Sequence, residues 1–400
     1  MNSLLRRRFA LLSLGSFLFP GIPSAGTEQF AGVNDHMLSP SMYLRRELDM
    51  RHAARLGAKA IRADLRWEQL EPAAEGHYDR TYLSRIDSVV SLARSFGIKP
   101  LFAVLGTPCW ASSAPTDVKR GCTPGGSWSA YPPTSPSYYA NTMAFLARRY
   151  GRNVAGWQIW NEPNLSYFWN AHDRAADYVA LVGSAYAAVK RVSAVPVIAG
   201  AVSRSDTHFV GQLYDDGIEG KFDVFSIHPY SFNDSPLTPA DSSYYGTAES
   251  SFIDGVQAVH KLMVKHGDER PIWLTEFGWD TSKSGVGPAT QAQYVSQAYA
   301  QIQSWPYVQG GFYYELQDQG TDRANNQQNE GLYYYDGHPK PGAAAFRSAS
   351  AGLAMERQAA RVLRRFFVAL AHAAASPVLA LTRSLFAVGR RRHAGQHRAP

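Results

Sequence analysis

Short apolar runs and amphipathic stretches alternate along most of the chain. Residues 29–34 (Gln-Phe-Ala-Gly-Val-Asn) read as a first strand, and 39–56 as a helix. A second strand is expected over 60–65, followed by a helix that sets Leu83, Ile86, Val90 and Ala93 on one face and stops at Gly97. The pattern repeats with a strand at 100–105 and a helix around 138–150. A fourth strand starts near 154 and is stopped by Pro163, and a helix over 173–192 turns Tyr178, Leu181, Val182, Ala185 and Val189 inward. Strands at 195–200 and 222–227, a helix marked by Phe252, Val256, Val259 and Met263, a strand at 271–277, a helix over 290–305 and a strand at 309–314 complete the series. Eight strands alternating with helices predict parallel strands joined by helical crossovers, and about 325 residues suit a (β/α)8 TIM barrel with enlarged βα loops. A doubly wound open sheet is the competitor. Neither Gly-x-Gly-x-x-Gly after the first strand nor Gly-x-x-x-x-Gly-Lys-Ser/Thr occurs, so the common ligands of that fold are not signalled.

Composition adds ends to this picture. The 400 residues are 45% hydrophobic and 12% aromatic, enough for a large core. The formal charge of +7 is unevenly placed: residues 1–26 hold three arginines and no acid, and 351–400 hold nine arginines and Glu356, which leaves 27–350 at −4. The body is thus mildly acidic, and the high pI does not point to nucleic acid as a partner. Residues 1–26 have the parts of an export signal, with Arg6-Arg7-Arg8, an apolar run too short to span a bilayer, and small residues through Gly26. Arg6-Arg7-Arg8-Phe9 is similar to a twin-arginine signal, so a periplasmic or secreted protein is expected. Residues 27–352 are read as one catalytic domain and 353–400 as a basic Arg/Ala-rich tail. That tail is either poorly ordered or a helix making weak membrane-surface or partner contact. Cys109 and Cys122 flank a stretch rich in Ser, Pro and Gly; one disulfide closing a surface loop is the reading, two free thiols the alternative.

Two of the apolar runs end in a glutamate. Trp157-Gln158-Ile159-Trp160-Asn161-Glu162-Pro163 ends the fourth strand, and Ile272-Trp273-Leu274-Thr275-Glu276-Phe277 ends the seventh. In a barrel both would stand at the C-terminal mouth, where the active sites of that fold lie. Glycosidic hydrolysis needs one carboxyl as proton donor and a second as nucleophile or base, with their proton affinities pushed apart. Trp67, Trp110, Trp169 and Trp279 follow strands two, three, four and seven and are candidate platforms for sugar rings, with Tyr314 after strand eight. The histidines show neither His-x-His nor His-Glu-x-x-His spacing, so no metal and no cofactor is expected.

Trp160-Asn161-Glu162-Pro163-Asn164 together with Leu274-Thr275-Glu276-Phe277-Gly278-Trp279 resembles the large clan of retaining (β/α)8 glycoside hydrolases. Within it the chain is most similar to the xylosidase-like and exopolysaccharide-hydrolase branch grouped as family 39. Trp67-Glu68-Gln69-Leu70-Glu71-Pro72 and Gly331-Leu332-Tyr333 through Lys340-Pro341 add to the likeness, which covers roughly residues 29–350. The resemblance implies Glu162 as acid/base and Glu276 as nucleophile, Arg62 as the cation bonded to the nucleophile, and Asn161 as the ligand of the sugar hydroxyl next to the reacting carbon. It implies that His228 and Tyr230 stand near the nucleophile; a loop-packing pair beside Pro229 is the alternative, as is an ion pair with Asp64 for Arg62. Many members of the clan carry tryptophan where this chain has Tyr314. The expected activity is hydrolysis of an extracellular or periplasmic polysaccharide or oligosaccharide by a monomer. Long loops after strands three, six and eight favour internal cleavage. A non-catalytic carbohydrate-binding barrel and a transglycosylase of polysaccharide assembly are the alternatives.

Overall fold

The computed structural model describes residues 28–122 and 125–356 together with 358, 359 and 362. The export signal expected over 1–26 and most of the 353–400 tail, with its membrane-surface contact, lie outside the described residues. Eight parallel strands close in sequence order into a barrel: β1 (Phe30–Asn34), β2 (Ala60–Arg66), β3 (Lys99–Leu105), β4 (Gly156–Ile159), β5 (Val197–Ser203), β6 (Val224–His228), β7 (Ile272–Phe277) and β8 (Val308–Tyr313). β8 pairs with β1 and completes the ring. The helices are α1 (Arg46–Arg55), α2 (Trp67–Leu70), α3 (Arg80–Ser95), α4 (Pro136–Tyr150), α5 (Arg174–Lys190), α6 (Thr207–Asp215), α7 (Phe252–Lys265), α8 (Pro288–Ser304) and α9 over residues 341–356. The fold is the expected TIM barrel.

Local chemistry starts the helices. The side chains of Asp79, Asp173, Asp206 and Ser251 each accept a backbone N–H at the first turn of α3, α5, α6 and α7, which satisfies one of the donors that a helix leaves orphaned. Three helices go beyond the sequence expectation, the shortest being the four-residue α2. α6 spans nine residues, and Gly211 falls inside it; its short apolar face of Phe209, Val210, Leu213 and Tyr214 offers little periodicity to read. α9 runs through Gly352, and its Leu353 is buried in the main core, so the boundary drawn at 352 falls inside a helix that covers the barrel. Among the described residues no helix is long and apolar enough to cross a membrane.

The floor of the barrel is filled from within by Ala60, Leu101, Ile198, Val224, Trp273 and Phe312, with Phe30 packed against them. Phe30 meets Trp273 and Phe312 edge to face, with ring centroids 5.1 and 5.6 Å away. Gly32 and Gly310 make room for these rings, since a β-carbon on either would come within 2.5 Å of Phe312 or 2.7 Å of Phe30. Cys109 and Cys122 form a disulfide, with Cα atoms 6.0 Å apart, in the loop after β3. Because Trp273 closes the floor, Trp273→Ala should lower the unfolding free energy by about 3–5 kcal/mol in urea titrations. A loss under about 1 kcal/mol would mean that the floor collapses to fill the gap.

Candidate active site

β4 ends in a distorted stretch. Trp160 and Glu162 have φ of 66° and 42°, and beyond them Ala201, Arg204 and Phe232 also have positive φ; these five are the non-glycine residues with left-handed backbone among the described residues. Each such residue costs on the order of 1–3 kcal/mol and persists only where its surroundings over-determine it. Here they do. The Tyr178 hydroxyl donates to Ile159 O and accepts from Gly200 N, Ser226 Oγ donates to Ala199 O and accepts from Ala201 N, and Asn164 holds both the N–H and the carbonyl of Ser203. Asn164, the first residue of a formal glycosylation sequon, is therefore occupied in joining β4 to β5.

This distortion sets Glu162 facing Glu276 across the mouth, 7% and 8% exposed. One carboxylate oxygen of each lies within 4.8 Å of the other, with His228 Nδ1 within the same span. Glu276 accepts from Arg62 Nη1 at 2.8 Å and from the Tyr230 hydroxyl at 2.9 Å. The Arg62 guanidinium, 3% exposed, also donates to Asn34, Gln158 and Asn161, while Asp64 stays 3.9 Å away; the pairing with the nucleophile candidate outweighs the alternative with Asp64. Asn161 thus stands beside the glutamate pair, its Oδ1 accepting from Arg62 at 2.7 Å.

The two carboxyls differ in surroundings. Burial pushes Glu162 up to about 7, against the opposing effects of the Ser203 and Tyr167 hydroxyls and of Arg62. His228, fully buried, has Nδ1 3.0 Å from Glu162 and 3.6 Å from Glu276, and Nε2 3.1 Å from Thr275 Oγ1. Burial lowers it to about 4, so the ring is neutral near pH 7 and bonds to Glu162, standing beside Glu276 without adding charge. Glu162, His228 and Glu276 offer three ligand atoms close enough for a divalent ion. The Arg62 cation 2.8 Å from Glu276 already neutralises that oxygen and would repel a second cation.

A cleft of about 790 Å³ opens over this pair. On one side lie His36, Asp64, Asp280, Tyr314, Asn326, Gln327 and Glu330, from the ends of β1, β2, β7 and β8. Tyr314 Oη is 3.0 Å from His36 Nε2; burial works against charge on His36, but Glu315, Asp64 and Asp35 together raise it to about 9. Tyr314 joins Glu315 through a cis peptide bond. On the other side lie Leu165, Tyr167, Phe168, Ser203, Arg204, Phe232 and Tyr244, after β4, β5 and β6.

Of the four tryptophans expected as platforms, only Trp279 lines the cleft. Trp67 is fully buried, donates its indole N–H to Glu71 and packs edge-on to Trp110 and Tyr139. Trp110 donates to the Glu71 carbonyl and leans on Tyr138. Trp169 donates to the Arg174 carbonyl and packs on Trp160 and Tyr178. These three anchor loops to the barrel, each indole N–H being engaged by an acceptor of the protein itself. The cleft aromatics that the sequence reading missed, Tyr167, Phe168, Phe232 and Tyr244, sit in loops with no periodicity, on the segments that follow β4 and β6.

The sequence matches the family model described as Cellulase (glycosyl hydrolase family 5) over residues 22–309. No curated protein sequence matches it. Among solved structures, a family 39 glycoside hydrolase from Bacteroides cellulosilyticus WH2 is 24% identical with a TM-score of 0.64, the match covering 82% of this chain and 64% of that one. The exo-β-1,4-mannosidase Op5Man5 from Opitutaceae bacterium strain TAV5 is 17% identical (TM-score 0.62, 84% and 63%), and a family 39 β-xylosidase from Caulobacter crescentus 19% identical (0.60, 82% and 72%). The chain spans less than two thirds of the first two. These likenesses share the barrel. The family model matched over 22–309 makes the chain a clan A glycoside hydrolase, a member of the cellulase family, glycosyl hydrolase family 5.

Proposed function

We propose that the chain is a retaining glycosidase that cuts a polysaccharide outside the cytoplasm, with Glu276 as nucleophile and Glu162 as acid/base. The observation that carries this reading is the separation of the two carboxylates, whose nearest oxygens fall within 4.8 Å. Double displacement uses carboxyls about 5–5.5 Å apart, whereas inversion needs about 6.5–9.5 Å to admit a water between them.

In the first step a Glu276 oxygen attacks the anomeric carbon as the bond from that carbon to the leaving oxygen breaks. Glu162 gives its proton to that oxygen. The leaving sugar departs and a glycosyl ester on Glu276 remains. In the second step Glu162, now ionised, takes a proton from water as the water oxygen attacks the same carbon and releases Glu276. Arg62 and Tyr230 hold the nucleophile at 2.8 and 2.9 Å, so it is oriented before substrate arrives. A cleft whose lining extends to both sides of the pair, with loops after β6 and β8 contributing to its walls, supports cleavage within a chain. Export rests on the Arg6-Arg7-Arg8 segment and is supported by the Cys109–Cys122 bridge, since disulfides persist in oxidising compartments.

Three measurements test this reading. On a polysaccharide substrate Glu276→Gln and Glu162→Gln should each lower kcat by about 10³-fold or more, and NMR of the first product should show a retained anomeric configuration. An inverted first product would overturn it. The first step needs protonated Glu162, so kcat/KM should fall as pH rises through about 7, and this limb should be much weaker for a dinitrophenyl glycoside, whose leaving group needs no proton. The same shift has a stability consequence. The folded-state pKa lies above that of free glutamate, so folding binds the proton, and the stability this contributes is lost as pH rises through about 7. Glu162→Gln should therefore raise Tm more at pH 8 than at pH 5; an equal change at both would contradict the assignment.

A further inference from the structure

Five aromatic side chains are exposed among the described residues, and four of them, Tyr167, Phe232, Tyr244 and Tyr245, stand together at one rim of the cleft. Phe232, Tyr244 and Tyr245 form a closed set, with ring centroids 4.8–5.3 Å apart. Exposed apolar surface is costly when gathered into a patch, and a patch rimmed by polar groups marks a place where something docks. The positions of these rings are fixed. Phe232 is held at φ 54°, the Tyr244 N–H donates to Asp234, and the Asp234 carbonyl accepts the Trp279 indole N–H, which ties the β6 loop to β7. Ser243 Oγ contacts Ala240, Thr247 and Ser250 and closes the loop on itself. Beside the rings Arg204, also at positive φ, has its guanidinium 5.9 Å from the Tyr245 centroid, and no carboxylate of the described residues lies within ion-pair distance of it.

The direction of the chemistry says which sugar this shelf would meet. Glu162 must face the leaving oxygen, and the Tyr167 hydroxyl, 3.3 Å from Glu162 Oε2, together with Arg204, Phe232 and Tyr244 lines the cleft on that side of the pair. The carboxylate-lined half, with Asp64, Asp280 and Glu330, lies on the opposite side. We infer that Phe232 and Tyr244 form a subsite for a pyranose residue of the leaving chain, stacked by its apolar face on the rings, with its hydroxyl edge toward the unpaired Arg204. The inference rests on the two-glutamate reading for its direction. It specifies that a sugar bound beyond the scissile bond drives both departure and acceptor transfer.

The test separates the two. The enzyme is loaded with 2-deoxy-2-fluoro-β-glucosyl, β-mannosyl or β-xylosyl fluoride, the adduct is detected by mass spectrometry, and release is timed in water alone and with added cellobiose, mannobiose or xylobiose. At least one disaccharide should speed release of the adduct in the native chain. In the Phe232→Ala/Tyr244→Ala variant the ratio of disaccharide-driven to water-driven release should fall about tenfold or more, while Leu237→Ala, an exposed change in the same loop, should leave the ratio as it is. An unchanged ratio in the double variant, or an equal fall in Leu237→Ala, overturns the subsite. As a readout independent of turnover, calorimetry of cellotetraose, mannotetraose and xylotetraose is run on Glu276→Gln with and without the double substitution. Affinity should fall about tenfold. Absence of an adduct together with that fall sinks the covalent mechanism and leaves the subsite standing, whereas no binding to either protein overturns the subsite.

Discussion

A guanidinium buried at the centre of the barrel mouth cannot be left with unmatched donors, and that requirement organises the site. Arg62 reaches Asn34 on β1, Gln158 on β4, Asn161 just beyond β4 and Glu276 on β7, so one side chain ties four strand ends into a single hydrogen-bonded plate. Its partners are in turn fixed: Asn34 Nδ2 donates to the Thr275 carbonyl, and Gln158 Nε2 to the Trp160 carbonyl. The cost of burying this charge is met by a carboxylate whose orientation the chemistry needs. Structure and reactivity therefore draw on the same contacts.

Much of this plan was legible because it is periodic or punctuated. Eight apolar runs and helix faces such as Tyr178, Leu181, Val182, Ala185 and Val189 are local signals that tertiary packing did not override. Glu162 and Glu276 were legible because strand order fixes which ends face the mouth. Arg62 entered through the family resemblance, as the cation expected beside Glu276. Three of the four tryptophans lie away from the cleft, since the residue type is equally suited to stacking on a sugar and to packing under a loop. What decided between the two was the acceptor that each indole N–H finds in three dimensions, Glu71 for Trp67 and the Arg174 carbonyl for Trp169. The strand boundary at β5 also moved, from 195–200 to Val197–Ser203, where the backbone at Ala201 breaks the register with β6.

His228 illustrates how a neutral group can serve two acids. A charged imidazolium in its place would lower the proton affinity of Glu162, the reverse of what a proton donor needs. Full burial keeps the ring neutral, and its two nitrogens link Glu162 to Thr275, the neighbour of Glu276 on β7. Glu162 thus keeps a high proton affinity, as the proposed donor role requires, while linked through His228 to Thr275 on the strand that carries Glu276.

The Lys340 ammonium is wholly buried and bonds Thr281, Asp318 and the Asn329 carbonyl, joining the loops after β7 and β8 that carry Asp280, Asn326, Gln327 and Glu330. The opposite rim is made of exposed rings on a loop held by hydroxyls and backbone. The two halves of the cleft consequently differ in how they can diversify. A ring on the aromatic rim can be exchanged singly with little effect elsewhere, so preference for the leaving chain can drift by point substitution. On the lysine side a change of loop must keep a buried charge paired, so new preferences there require concerted replacements.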